Sequence, residues 1–262
     1  MNVTDFKKYK TNNKKITILT CYDYSFAKII SQTDVDCILV GDSLSMTMHG
    51  LEDTTYADLD LMALHTSAVK RGLSKDKFLI SDLPFLSYRG SLDRLIDATS
   101  KLIKNGAQAV KLEGSDGNID FIKHIVESGI PVMGHIGLTP QFVNIFGGYK
   151  VQGKTESQAD VIYEQAHKLQ KAGCFSIVLE CIPSALGKKI SKSLDIPTIG
   201  IGAGPSTDGQ VLVIQDMLGM NSDFSPKFAK KYISGISLIT NAVNEYCTEV
   251  KDASFPDDKH SF

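Results

Sequence analysis

A chain of 262 residues, 42% of them hydrophobic, can bury a full-sized core, and its length suits one α/β barrel as well as two smaller domains. With 28 basic against 30 acidic residues the formal charge is -2, which gives no electrostatic reason to expect nucleic acid or an anionic membrane as partner. Five cysteines (Cys21, Cys37, Cys174, Cys181 and Cys247) lack metal-type spacing, and "MNVTDFKKYKTNNKK" lacks the apolar core of a signal peptide, so a reducing, cytoplasmic location is expected.

In chain order, short apolar runs recur: "KITILTCYD", "CILVGDS", "KFLISDLPF", "AVKLEG", "PVMGHIG", "SIVLECIP", "PTIGIGAG" and "VLVIQDMLG". Each reads as a strand buried on both faces. Between them lie helical patterns. From Ser91 to Asn105, Leu92, Leu95, Ile96, Thr99, Leu102 and Ile103 fall at helical spacing, with Gly106 placed to end the helix. From about Glu156 to Ala172 a second helix is expected, with Thr155 and Gln158 suited to a capping box and Gly173 after its last turn. Eight strands alternating with helices predict a single-domain (β/α)₈ TIM barrel over residues 1–262, with short terminal extensions; a doubly wound open sheet is the rival. Two connections are longer than turns, the segment after "GDS" to about Asp60 and "LTPQFVNIFGGYKVQGKT" after the fifth strand, and long loops in a compact fold tend to be functional. The last stretch, "CTEVKDASFPDDKHSF", reads as a tail.

Chemistry in a parallel barrel collects at the C-terminal ends of the strands, and there the polar residues sit: Asp42, Asp82, Glu113, His135 and Glu180. Alternation puts Lys111 and Glu113 on the inner face, away from Val110 and Leu112. Taken singly, these residues are also explained by a Lys111–Glu113 ion pair and solvated carboxylates at loop starts. Taken together, Asp42, Asp82 and Glu113 would converge from consecutive strands as hard oxygen ligands, a set suited to Mg²⁺ and not to zinc. Other groups are assigned less. "GIGAG" could hold an anion or be a tight turn, Cys181 reads as packing, and His49, His65, His124 and His167 as solvated or capping residues. A Schiff base on Lys111 is disfavoured, because the neighbouring Glu113 stabilises the ammonium.

"LTCYDYSFAK", "VGDSLSM", "SDLPF", "AVKLEG", "GHIGLTPQ", "GGYKVQGKT", "VLECIP", "IPTIGIGAG", "DGQVLVIQDMLGM" and "FPDDKHSF", in this order, resemble the ketopantoate hydroxymethyltransferase family. The resemblance implies a TIM barrel of the phosphoenolpyruvate mutase and isocitrate lyase superfamily. It also implies Mg²⁺-dependent transfer of a hydroxymethyl group from 5,10-methylenetetrahydrofolate to 3-methyl-2-oxobutanoate, and a homo-oligomer, often a decamer. Carried over by motif, Asp42, Asp82 and Glu113 match metal ligands; Asp42, Ser43, Asp82 and Lys111 match substrate contacts; and Glu180 matches the proton acceptor. His135 would relay a proton or orient the substrate. The chain departs from the family pattern at Ser45, where glycine is usual in "GDSLGM", in the divergent "HGLEDTTYADLD", and in "VIQDMLG", which lacks the usual aromatic or histidine before the aspartate. Two rival functions are another lyase of the superfamily and a catalytically silent keto-acid-binding barrel. The first usually carries a reactive cysteine in a loop that corresponds here to "LSYRGSLD" or "GSDGNID", neither of which contains one.

Overall fold

All eight apolar runs become strands in the computed structural model, which describes residues 1–221 and 226–262. They are β1 (Ile16–Thr20), β2 (Cys37–Val40), β3 (Phe78–Asp82), β4 (Ala109–Glu113), β5 (Val132–Gly137), β6 (Ser176–Glu180), β7 (Thr198–Ile201) and β8 (Gly209–Leu212). Every neighbouring pair is parallel, and β1 pairs with β8 through Ile16↔Gly209, so the sheet closes into a barrel and the open-sheet rival is excluded.

The helices are α1 (Val3–Thr11), α2 (Tyr24–Ile30), α3 (Leu44–Thr47), α4 (Leu59–Gly72), α5 (Leu92–Lys104), α6 (Ile119–Glu127), α7 (Val143–Phe146), α8 (Glu156–Ala172), α9 (Ser184–Ser193), α10 (Ile214–Met217) and α11 (Gly235–Lys251). The two helices expected from periodicity form with their caps. Ser91 accepts the Arg94 N–H at the start of α5, and Thr155 with Gln158 completes a capping box on α8. Gly173 ends α8 at φ 99°, a left-handed conformation open to glycine without steric cost.

Two boundaries differ from the sequence reading. The eighth run splits, because β8 ends at Leu212 and its remainder turns into α10. "CTEVK" is the last part of α11 and not a tail, and only the residues beyond it are irregular or 3₁₀. The residues group into two contact units, Met1–Leu212 and Val213–Phe262, and the barrel is complete within the first.

Inside the barrel the alternate positions make a layered core. Ile16, Ile18, Cys37, Leu39, Phe78, Ile80, Ala109, Met133, Val178, Ile199, Ile201 and Val211 are buried together with Phe6 of α1. Phe6 closes the N-terminal end, its ring edge-on to Phe78 at 5.7 Å and to Phe175 at 4.9 Å. Interior space at that end is therefore filled by side chains, and only the opposite end is left for a site.

Candidate active site

Along β4 the inward positions run Ala109, Lys111, Glu113, so apolar packing gives way to charge within one strand. β3 brings Asp82 inward after Phe78 and Ile80, β5 brings His135 after Met133, and β6 brings Glu180 after Val178. Cross-strand register sets their neighbours: Asp82 lies beside Lys111, Glu113 beside His135, and Gly137 beside Glu180. Asp42 lies beyond the end of β2, where strict alternation would turn it outward with Ile38 and Val40. The helical turn that opens there, with the Leu44 N–H bonding the Gly41 carbonyl, swings it back, and the Asp42 N–H donates to Asp82 Oδ2 at 3.1 Å.

The ion pair of this site is not the one expected from the sequence. Lys111 Nζ lies 3.0 Å from Asp82 Oδ1, both side chains about 5% exposed or less, whereas Glu113 turns to His135, with Oε1 3.3 Å from Nδ1. Two residues on one strand face are neighbours, but strand register brings cross-strand groups closer. His135 Nε2 in turn faces Glu180 Oε2 at 3.1 Å, so the imidazole is bracketed by two carboxylates. Lys111 Nζ also lies 3.2 Å from His135 Nδ1, a contact that needs an unprotonated Nδ1, while the Glu113 contact needs a protonated one. Burial and Lys111 push the His135 pKa down, but Glu113 and Glu180 outweigh them and raise it to about 9, which favours the imidazolium and its ion pair with Glu113 over the contact with Lys111.

The remaining charges follow the same balance. Burial opposes the Lys111 ammonium, yet Asp82, Glu113 and Asp42 raise its pKa above the ordinary value. Burial also lifts Asp82, and lifts Asp42 well above the carboxylate range, the latter with repulsion from Asp82 and Glu113. Four carboxyl groups, those of Asp42, Asp82, Glu113 and Glu180, thus gather around only two cationic side chains, Lys111 and His135. Asp82 Oδ1 and Glu113 Oε1 are buried without a well-directed hydrogen bond. A divalent cation with oxygen ligands fits both the charge and these atoms. Among the described residues no three His, Cys, Asp or Glu side chains already surround one point. The arrangement therefore offers the Asp42–Asp82 pair first, with Glu113 engaged by its neighbours.

Surrounding residues set the frame. Ser43 Oγ is 2.8 Å from the Tyr22 hydroxyl, whose pKa burial pushes up to about 12. Ser45, fully buried, places its hydroxyl 2.9 Å from the Asp42 carbonyl and 2.8 Å from the Asp53 carbonyl, so the departure from glycine is satisfied locally. Tyr149, on the long loop before α8, reaches Met46 Sδ at 3.4 Å across the mouth. At Gly137, φ is 94° and an added Cβ would stand 2.3 Å from the Glu180 carbonyl, so only glycine lets the β5 end lie this close to Glu180.

The other sequence candidates fall away from the centre. In "GIGAG", Gly200 and Ile201 end β7 and a bend follows, with Gly202 and Gly204 at positive φ and Ser184 against Gly204. Cys181 is half-buried, and burial with the adjacent Glu180 raises its thiol to about 12, which suits packing and not nucleophilic attack. His49 and His65 pair with each other at 2.9 Å. Of two buried residues that sequence reasoning did not single out, Gln141 touches the Asp42 and Glu113 carboxylates directly, and Tyr88 bonds Gln141 and the Glu113 backbone. Both lie in loops, where no periodicity marks an inward position.

Comparison with known proteins gives a consistent picture. The family model described as ketopantoate hydroxymethyltransferase matches residues 1–258. A 3-methyl-2-oxobutanoate hydroxymethyltransferase of Francisella tularensis subsp. novicida (strain U112) is 59% identical over 100% of this chain and 98% of its own length. One of the same name from Legionella pneumophila (strain Paris) is 52% identical, with both chains covered in full. Among solved structures, 2,3-dimethylmalate lyase, a member of the PEP mutase/isocitrate lyase superfamily, superposes with TM-score 0.62 at 14% identity over 99% of this chain and 91% of that one. Phosphonopyruvate hydrolase in complex with oxalate and Mg²⁺ superposes with TM-score 0.64 at 12% identity over 99% of this chain and 93% of that one, a likeness of fold.

Proposed function

Because the chain belongs to the ketopantoate hydroxymethyltransferase family, we propose that its barrel mouth is the site of hydroxymethyl transfer, with roles for each charged residue. The protein is a hydroxymethyltransferase that acts on 3-methyl-2-oxobutanoate to form ketopantoate. The one-carbon donor is 5,10-methylenetetrahydrofolate, and the product enters pantothenate synthesis.

The chemistry needs a carbanion beside a ketone at neutral pH. Asp42 and Asp82, with Glu113 nearby, would hold Mg²⁺, which when bound would supply a Lewis acid for the charge that develops on the keto oxygen. Lys111 presents its ammonium to the substrate carboxylate, and Ser43 lies at the same strand end. Glu180 removes the C3 proton. Its Oε2 faces His135, so the proton is taken on Oε1, and the imidazolium keeps the carboxylate oriented and its companion oxygen neutralised. His135 thus acts by orientation, tied on its far side to Glu113.

The observation that supports this reading is the line of contacts Glu113–His135–Glu180 at the same strand ends as the Asp42–Asp82 pair, which suits a base and a cation site in one cluster. The test is deuterium exchange at C3 of 3-methyl-2-oxobutanoate in heavy water without folate. Glu180→Gln should lose about 10²–10⁴-fold of the exchange rate while retaining substrate and Mg²⁺ binding. Exchange at the wild-type rate would move the base elsewhere.

The chain further acts as a homo-oligomer near a decamer, in the cytoplasm. Leu238, Ile239, Val243, Tyr246 and Val250 of α11 are exposed, which supports assembly because such residues are what a subunit contact would cover. Light scattering at micromolar concentration should give a large assembly, and a monomer would contradict it. All five cysteines are free, and no described helix is long and apolar enough to cross a membrane.

A further inference from the structure

Gln141 lies in the 3₁₀ turn Pro140–Phe142 after β5, 3% exposed, and commits both polar groups of its side chain and its backbone N–H. Its Nε2 donates to Asp42 Oδ2 at 2.7 Å and to the Leu83 carbonyl at 3.0 Å. Its Oε1 accepts from the Tyr88 hydroxyl at 2.6 Å, and its backbone N–H donates to Glu113 Oε2 at 2.9 Å. Turned over, the amide would set oxygen against a carboxylate and a carbonyl and leave the Tyr88 hydroxyl facing an N–H, so the orientation follows from the network. Tyr88 is held in turn by the Glu113 N–H, which donates to its hydroxyl at 3.3 Å.

One loop residue therefore joins Asp42, the residue after β3, and the end of β4. It takes Oδ2 of Asp42 and Oε2 of Glu113, and so decides that Oδ1 and Oε1 are the oxygens left for other partners. Glu113 Oε1 is among the buried atoms without a directed hydrogen bond. The structure assigns to Gln141 the part of a positioning residue that fixes the carboxylate planes of Asp42 and Glu113 for the divalent cation, with Tyr88 fixing Gln141. The assignment rests on the reading that Asp42 and Asp82 hold that cation. Without the amide, like-charged buried carboxylates are free to rotate apart, and the cation must reorder them on binding.

Partners that orient ligating side chains typically contribute about 10–100-fold to metal affinity. The experiment is an Mn²⁺ titration followed by electron paramagnetic resonance on the full chain without substrates, for wild type, Gln141→Met and Tyr88→Phe. Methionine keeps length and volume but has no donor. Gln141→Met should bind Mn²⁺ about 10–100-fold more weakly at unchanged stoichiometry, with turnover restored at high Mg²⁺. Tyr88→Phe should show a smaller loss in the same direction. A purely structural loop anchor would instead lower the unfolding temperature and leave the affinity of the folded protein unchanged, and that result for Gln141→Met overturns the assignment. Where Gln141→Met fails to fold, unchanged affinity in Tyr88→Phe overturns it as well. A wild-type protein that binds no Mn²⁺ would overturn the cation reading itself, whereas binding unaffected by either variant removes only the role of Gln141.

Discussion

The two ends of the barrel interior are lined by alternate positions of the same strands, yet they are built on opposite principles. At the N-terminal end Phe78, Ala109 and Met133 pack with Phe6 of α1 in an apolar plug. Two to four residues further along those strands stand Asp82, Lys111, Glu113 and His135, all buried. Full burial of a side chain such as Phe6 stabilises the fold by roughly 1.5–3 kcal/mol. Burying like charges opposes folding unless they are fully paired, and here the pairing is incomplete. One end supplies the stability that the other consumes for chemistry.

The sharpest way to break this division is to neutralise the charged end. Asp82→Asn should lower ketopantoate formation at saturating substrate by roughly 10³-fold, the worth of several kcal/mol of electrophilic stabilisation, while the circular dichroism spectrum is preserved. Full activity in that variant would show that the charges at the mouth are structural.

The converse variant is Phe6→Ala, which should cost about 3–5 kcal/mol of stability in urea unfolding and leave turnover per folded molecule unchanged at low temperature. A loss of turnover without a loss of stability would mean that the plug and the mouth are not separable.

A third test uses pH. The folded His135 pKa, about 9, lies above its ordinary 6.5, so the imidazolium stabilises the metal-free fold fully below pH 6.5, and the contribution is lost as pH rises through about 9. The stability gap between wild type and His135→Gln, measured in EDTA, should therefore close across that window. A constant gap would show that packing and not charge holds His135.

The smallest effect expected is a gain. Asp42 has its folded pKa raised, chiefly by burial and then by Asp82 and Glu113, so its ionisation works against folding once the pH exceeds the unfolded value of 3.8. Asp42→Asn should raise the unfolding temperature by a few degrees in EDTA at pH 7 while abolishing the activity. A lower unfolding temperature would place Asp42 among the stabilising residues.

The barrel was legible in the sequence because each strand lies in a short apolar run, and alternation put Lys111, Glu113 and Glu180 on the inner face. The pairing among them was not legible, since the Lys111–Asp82 contact depends on the register of β3 against β4. Asp42 was found for its position at a strand end, although the turn that rotates it inward carries no periodic signal. Gln141 and Tyr88 escaped for the same reason: loop residues obey local turn geometry, and their partners lie 53 residues apart in the one case and 99 in another. The splitting of the eighth run into β8 and α10 reflects an apolar stretch too short for its composition to choose between helix and strand.

The closure of β1 on β8 also has a consequence for how the chain is made. Ile16 leaves the ribosome early and its partner Gly209 late. At roughly 5–20 residues per second the interval is on the order of 10–40 s. Throughout it one side of β1 is an unsatisfied strand edge, and for most of it Phe6 also lacks the Phe175 ring that completes its seat. The nascent protein is thus open to wrong pairing until β8 has been made, and a pause or truncation before residue 209 leaves a sheet that cannot close.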